Sequence, residues 1–202
     1  MNADHYFTAD PAGDARRRDV TFLAGGHVYR LTSAAGVFSG DRLDPGTAVL
    51  LRKAPLPGAR GGVFLDLGCG YGPIACVLAD RSRRAKVYAV DVNQRALDLV
   101  RTNAQATGVA ERVIAATAED VPSDVVFDEI WSNPPIRIGK DQLHELLRRW
   151  LPRLAPDGIA WLVVARNLGA DSLQAWLQTE GWSAERYASQ QGYRILRVTR
   201  RS

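Results

Sequence analysis

From Val63 onward the chain alternates short apolar runs with amphipathic segments, the signature of βαβ units around a mostly parallel sheet. "VFLDLG" (63–68), "KVYAVD" (86–91), "RVIAATAED" (112–120), "FDEIWSN" (127–133) and "IAWLVVA" (159–165) read as five strands in turn. Between them "PIACVLADRS" (73–82), "NQRALDLVRTNAQATG" (93–108) and a segment over 141–154 read as helices. Pro73 suits a first helical position, where its missing N–H costs nothing. Asn93 suits an N-cap and Gly108 a C-terminal stop. A helix near 171–180, a strand near 182–188 and a last strand "YRILRVTR" (193–200) complete the pattern. Only a short Gln-Gln-Gly turn separates the last two strands, which predicts a hairpin with one strand antiparallel. The expectation is an α/β fold: a seven-stranded, mostly parallel sheet with helices on both faces and a C-terminal antiparallel hairpin.

Residues 1–60 follow another pattern. "DVTFLAGGHVYRLTS" (19–33) reads as a hairpin turning at Gly25-Gly26. "GVFSGDRLDPGTAVLLRKA" (36–54) reads as a glycine-rich loop feeding a short helix. This segment is too small for a core of its own. It is expected to be an extension (1–60) packed over the edge or mouth of the sheet of the main domain (61–202).

With 46% hydrophobic and 24% charged residues in 202, the composition is that of an ordinary globular chain. No apolar run approaches the length a membrane helix needs. "MNADHYFTADPAG" carries neither a basic nor an apolar signal region, so a cytoplasmic protein is expected. Cys69 and Cys76 stand at no zinc spacing and read as reduced thiols used as small apolar residues. None of His5, His27 and His144 falls in a motif, and no metal site is expected. The formal charge is +4. Basic residues cluster at Arg16-Arg17-Arg18, at Arg81/Arg83/Arg84/Lys86, at Arg148/Arg149/Arg153 and at Arg194/Arg197/Arg200/Arg201. One such cluster is usually a solvated face; together they favour nucleic acid over an acidic protein or a lipid.

Chemistry concentrates at two places. "DLGCGYG" (66–72) joins the first main-domain strand to the first helix, and its glycines at 68, 70 and 72 permit a sharp turn and close approach of a ligand. Pro73 departs from the G-x-G-x-x-G pattern of dinucleotide loops, so the loop suits a ligand without phosphate at the helix N-terminus. Asp91, ending the next strand, can accept hydrogen bonds from both hydroxyls of a ribose. With Asp66 beside it, the pair suits a ligand bearing an ammonium and a sulfonium. Tight strand–helix packing would explain the glycines, and helix capping would explain Asp91; the conjunction favours nucleoside binding.

The second place is "SNPPIRIGK" (132–140). Its two prolines donate no backbone hydrogen bond and stop the fourth strand stiffly. An aromatic exocyclic amine is a poor nucleophile until its hydrogens are held and its nitrogen pyramidalises. The Asn133 side-chain oxygen and the Pro134 carbonyl, held by Pro135, form a preorganised pair of acceptors for those hydrogens. A strand stop with a capped turn is the structural alternative. Arg137 and Lys140 are placed to grip RNA phosphates or to be solvated. Asp44 and Thr47 in "LDPGT" are placed to close over a ligand or to cap the following helix.

These segments carry a resemblance. "VFLDLGCGYGPIA", "VYAVDVNQRAL" and "NA" resemble the S-adenosylmethionine loop and ribose acid of class I methyltransferases. With "GVFSGDRLDPGT", "SNPPIRIGK" and the late "GYRI", nearly the whole chain is similar to the small-domain methyltransferase family, which includes RsmC-type 16S ribosomal RNA guanine-N2 methyltransferases and short single-domain relatives. The resemblance implies a Rossmann-like class I methyltransferase fold with S-adenosylmethionine as cofactor. Residue by residue, it assigns Asp66, Gly68, Cys69 and Gly70 to the methionine half, Asp91 to the ribose and Val92 to one adenine face. Thr117 and Ala118, with Glu119 as substitute, would border the other adenine edge, and Thr47 would close the methionine end. Asn133, Pro134 and Pro135 would be catalytic; Phe38, Ile136, Arg137 and Lys140 would face the substrate. The partner implied is RNA, ribosomal RNA or a ribosomal subunit, methylated at an exocyclic amine such as guanine-N2. The motif also resembles the (D/N)-P-P-(Y/F/W) of adenine-N6 and glutamine methyltransferases, but has Ile136 where their aromatic stacks on the target. Stacking would then fall to Phe38 or to Tyr6 and Phe7. A protein glutamine, an adenine-N6 or a small-molecule acceptor remains open, as does a catalytically silent binding module.

Overall fold

A computed structural model describes residues 17–37, 42–134 and 139–201. A two-stranded hairpin, β1 (Arg17–Ala24) and β2 (His27–Ala34), precedes α1 (Pro45–Lys53). The main sheet uses β3 (Gly62–Leu67), β4 (Ala85–Val90), β5 (Val113–Ala116), β6 (Phe127–Ser132), β7 (Leu154–Ala165), β8 (Trp182–Gln190) and β9 (Tyr193–Arg200). Its order is β5-β4-β3-β6-β7-β9-β8, and only β9 runs against its neighbours. The helices are α2 (Pro73–Arg81), α3 (Gln94–Ala106), α4 (Lys140–Trp150) and α5 (Ala170–Thr179). The expected seven-stranded α/β sheet with its C-terminal hairpin is thus observed.

Alternation along the strands sorts the core into two layers. Phe64, Val87, Trp131, Trp161 and Ile195 pack with α1, α2 and α3. Leu65, Tyr88, Ile130, Leu162 and Leu196 pack with α4 and α5. The hairpin forms a further layer: Val20, Leu31 and Ala34 pack on Tyr71, Cys76, Ala96 and Leu99, over α2 and α3. That corrects the expected position at the sheet's edge or mouth. The outer faces of α2 and α3 carry apolar side chains that the sheet does not cover, and the hairpin, with Val37 and Leu43, packs there. α1 instead packs on β7 and β9, with its N-terminus at the carboxyl rim.

Local chemistry explains the other departures. β5 stops at Ala116, well short of 120, because the Thr117 N–H and hydroxyl both donate to the Asp120 carboxylate (3.2 and 2.6 Å) and turn the chain. α4 ends at Trp150, not 154, because Pro152 cannot continue an α-helix; residues Leu151–Arg153 form one 3₁₀ turn. β7 begins at Leu154, earlier than expected, and its register on β6 shifts between Phe127 and Glu129. Gly158 fits that irregularity closely: a Cβ there would stand 2.9 Å from the Ala155 nitrogen.

One polar side chain fastens the outer layer. Asn103, fully buried on α3, accepts from the Thr32 N–H (2.7 Å) and donates to the carbonyls of Thr32 and Tyr71 (2.8 Å each). It ties β2 to the glycine loop, and its loss leaves three backbone groups unpaired. Asn103→Ala is therefore expected to destabilise the protein by about 2–4 kcal/mol, read by urea unfolding. A change below about 0.5 kcal/mol, within the range of an ordinary surface substitution, would show that the tie is dispensable.

Candidate functional site

The carboxyl ends of the parallel strands define one rim, the usual ligand side of such a sheet. After β3 the chain turns through Gly68, Gly70 and Gly72, all at positive φ (73°, 54° and 86°). At Gly72 a Cβ would also stand 3.1 Å from Val100 Cγ2, so the side-chain-free position lets α2 approach α3. The Gly70 N–H donates to Asp91 Oδ2 (2.9 Å), and the Asn93 N–H donates to Asp91 Oδ1 (3.0 Å). One carboxylate thus laces the glycine loop to the end of β4 and to the start of α3. Burial raises the Asp91 pKa, opposed by these amide donors.

Asp66 is fully buried beneath the same loop. Its Oδ2 accepts from the Ala75 N–H (2.9 Å), while its Oδ1 has no partner among the described residues. Burial, opposed by the Ala75 hydrogen bond and reinforced by the Asp91 charge, pushes its pKa up to about 8. Cys69 and Cys76 are buried free thiols whose pKa values burial also raises, which leaves them apolar packing groups at neutral pH.

Asn133 lies just past β6, whose last residue Ser132 donates its hydroxyl to the Leu67 carbonyl (2.7 Å) and so holds the end of β6 against β3. Its Nδ2 donates to Asp44 Oδ2 (2.6 Å) and to Thr47 Oγ1 (3.1 Å). The same Asp44 oxygen accepts from the Thr47 N–H (2.9 Å) as the N-cap of α1. An oxygen that caps a helix calls for an N–H donor, so the Asn133 amide can face it only with nitrogen. Its Oδ1 has no partner among the described residues and is left as an acceptor. Asp44 therefore caps α1 and, together with the Thr47 hydroxyl, orients Asn133. A small cavity lined by Asp44, Thr47, Gly68, Cys69, Gly70 and Asn133, among others, joins the glycine loop to the amide.

The structure thus brings Asp66, Gly68, Cys69, Gly70, Asp91, Thr47, Asn133 and the buried Pro134 to one rim. Thr117 and Ala118 follow β5 beside Asp91, whose N–H lies 3.4 Å from the Ala116 carbonyl. Thr117's hydroxyl is used on Asp120. Val92 is 53% exposed, an apolar side chain left open next to Asp91. Glu119 turns outward to Arg149 (3.3 Å), away from the glycine loop. Lys140 is exposed in the first turn of α4. Pro135, Ile136, Arg137 and Phe38, with Tyr6 and Phe7, lie outside the described residues.

Two residues of this region lie in motifs quoted above, "NA" and "GYRI", but are given no role there. Asn103 carried a legible signal: a polar residue on the buried stripe of α3, beside Leu99, Val100 and Ala104. Tyr193 opens β9 at the rim, and a Cβ on Gly46 would stand 3.0 Å from its Cε1 and 3.3 Å from Asn133 Nδ2. Its motif was visible, but its place beside Asn133 depends on sheet order, which sequence periodicity does not encode.

A family model described as "Methyltransferase small domain" matches residues 28–197. The Bacillus subtilis protein YbxB is 30% identical over 198 residues, covering 97% of this chain and 98% of its own. The ribosomal RNA small subunit methyltransferase C of Hahella chejuensis is 39% identical over 147 residues, which are 70% of this chain and 42% of that protein. The Pseudomonas entomophila protein of the same name is 32% identical over 99% of this chain and 59% of its own length. This chain therefore spans only about half of the methyltransferases C that it matches. Among solved structures, the T. thermophilus 16S rRNA N2 G1207 methyltransferase (RsmC), in complex with AdoMet and guanosine, superposes with a TM-score of 0.80. That match is 24% identical and covers 95% of this chain and 52% of the other. The chain belongs to the methyltransferase small domain family.

Proposed function

We propose that this protein transfers a methyl group from S-adenosylmethionine to an exocyclic amine of RNA, with guanine-N2 of ribosomal RNA as the favoured acceptor. The observation that carries this reading is the Asn133 amide, held by Asp44 and Thr47 so that its oxygen faces outward at the glycine-loop rim. The methyltransferases C to which the chain is similar support the RNA acceptor.

The residues present fit the cofactor. Asp66 offers a buried carboxyl oxygen without a partner among the described residues, suited to an ammonium. Asp91 keeps lone pairs for a ribose beyond its two amide donors. Val92 offers an exposed apolar side chain to an adenine face. Thr117 and Ala118 remain the expected adenine border, with Glu119 turned outward to Arg149, and Ile136, Arg137, Lys140 and Phe38 the expected substrate contacts. When bound, S-adenosylmethionine supplies an electrophilic methyl on a sulfonium. Asn133 Oδ1 and the Pro134 carbonyl then accept the two amine hydrogens, which localises the nitrogen lone pair and aims it. As the C–N bond formed, the methyl C–S bond would break and its electron pair would stay on sulfur, giving the neutral thioether S-adenosylhomocysteine, while the excess proton would leave the nitrogen along these acceptors to water. No residue need act as a strong base, because the methylated amine is acidic.

Asn133→Ala is expected to abolish transfer, with cofactor affinity within about threefold of wild type. Asp91→Ala should weaken cofactor binding first. Tritiated-methyl transfer to RNA and protein fractions, followed by nucleoside mass analysis, reads the reaction; label confined to protein would sink the RNA acceptor. A comparable loss of cofactor affinity in both variants would make Asn133 a cofactor residue.

The pH dependence has a definite sign. Free Asp66, with its pKa near 8, is mostly protonated at pH 7. A cationic ligand favours its carboxylate, so binding expels a proton. Affinity should rise with pH, by up to about tenfold per unit, and level off above 8. Titration calorimetry in buffers of different ionisation heat should find proton release at pH 7 and none at pH 9. Asp66→Asn should remove the release; its persistence would place the proton elsewhere.

A further inference from the structure

The expected aromatic wall for the target is missing from the Asn-Pro-Pro motif, since Ile136 stands in its place. The fold supplies another. Because β9 is antiparallel, its first residue, Tyr193, lies at the rim where the parallel strands end, opposite Ala165 at the end of β7. Tyr193 shares a strand face with Ile195, the face that packs with α1 and carries Trp131. Asn133 follows Trp131 by two residues and reaches back to the N-cap of α1, so it lies toward the same side. Gly46, in the first turn of α1, has no room for a Cβ because the Asp44 carboxylate, the Tyr193 ring edge and the Asn133 amide all stand within 3.3 Å of its place. Ring and amide are therefore neighbours, and the ring is only half-buried.

Tyr193 also borders a groove of about 280 Å³ at the β8–β9 turn, lined further by Arg166, Arg186, Ser189, Gln190 and Arg194. The Arg166 N–H donates to the Gly192 carbonyl (2.8 Å), which fixes the turn to the end of β7. Arg194 is paired with Asp171. Arg166 and Arg186 are exposed, and neither pairs with a carboxylate among the described residues. Two of the basic clusters named from the sequence are largely committed elsewhere: Arg148 to Glu180, Arg149 to Glu119, Arg197 to Glu185, and Arg153 and Arg200 to main-chain carbonyls. Arg83, Arg84 and Lys86 are exposed but stand at the start of β4, the end of the sheet away from the rim. Two guanidiniums without a carboxylate partner among the described residues, beside an aromatic ring, suit a stacked base with adjoining phosphates.

We infer that Tyr193, Arg166 and Arg186 form the acceptor half of the site. The Tyr193 ring is the wall against which the target base lies beside Asn133. The two guanidiniums take phosphates of the same RNA strand as it leaves over the β8–β9 turn. This rests on the reading that the acceptor is RNA, and it moves base recognition from the Asn-Pro-Pro loop to the C-terminal hairpin.

The test uses full-length protein and unmodified 16S ribosomal RNA transcribed in vitro, naked and assembled into small subunits. Tyr193→Ala is expected to lower kcat/KM for RNA by about 10- to 100-fold, with S-adenosylmethionine affinity within twofold of wild type. Tyr193→Phe, which keeps the ring, should restore most of the loss and thereby exclude a folding defect. The double variant Arg166→Gln, Arg186→Gln should raise KM with little change in kcat. It should also reduce the slope of log affinity against log salt by about 0.7 for each phosphate that is no longer neutralised. Arg83→Gln, at the opposite end of the sheet, is the charge control and should change neither. If wild-type protein methylates RNA but the Tyr193 and arginine variants match it, the acceptor half lies elsewhere and the RNA reading stands. If wild-type protein methylates protein and no RNA, both fall.

Discussion

The site depends on a single carboxylate oxygen. Asp44 Oδ2 accepts from the Thr47 N–H and from Asn133 Nδ2, so the start of α1 and the end of β6 cannot be arranged independently. A helix N-terminus needs an acceptor, because its first amides have no partner within the helix. Here the acceptor that meets this need also dictates which way an amide outside the helix must face. The consequence is chemical as well as structural. An Asn side chain free to flip would present a donor half of the time, and an amine is activated only by acceptors. Under the proposed reaction, the N-terminal segment would contribute by constraining Asn133.

Sheet parity and order then determine what can meet at the rim. β3 and β6 are adjacent and parallel, so the glycine loop and Asn133 emerge side by side, with Ser132 bonded across to Leu67. β4 lies on the other side of β3 and delivers Asp91 to the Gly70 amide. On the far side, β9 reverses direction and brings a strand beginning to the same edge as the strand ends. A wholly parallel sheet would place a loop at that position. The antiparallel hairpin instead puts a ring on a rigid strand within reach of the amide.

Much of this was legible in the sequence, because the strongest signals are local. The glycine turn, Pro73, the Asn93 cap and the alternating apolar runs each report a requirement of a few neighbouring residues, and the corresponding elements formed within a few positions. Boundaries failed where a side chain intervened. Thr117 and Asp120 turned the chain before β5 could extend, and Pro152 converted the end of α4 to a 3₁₀ turn. The hairpin's position failed for a different reason. Its docking depends on which helix faces are left uncovered once the sheet has formed, and only tertiary order reveals that. The dual duty of Asp44 was half visible: capping is read from "LDPGT", whereas a partner 89 residues away is not.

The arginines carry the same lesson further. Clustering in sequence marked the stretches around 148–153 and 194–201, yet the fold uses many of these guanidiniums on carboxylates and exposed main-chain carbonyls. In the stretch around 81–86, Arg83, Arg84 and Lys86 stay exposed, but at the amino ends of the parallel strands, away from the rim. A paired arginine has spent much of its attraction for a phosphate, since displacing its carboxylate offsets the gain. Net charge therefore says little about where an anion would bind. What matters is which cations the fold leaves uncommitted, and where. Arg166 and Arg186 are isolated in the sequence and neighbours in space, placed there by the end of β7 and by the hairpin that packs beside it. The groove they share opens next to Tyr193, so the position of a nucleic-acid strand and the position of the reacting amine would be governed by the same antiparallel hairpin. Under the proposed reaction, the motif after β6 supplies the acceptors for the amine hydrogens. Discrimination among substrates falls to β8, β9 and the turn between them.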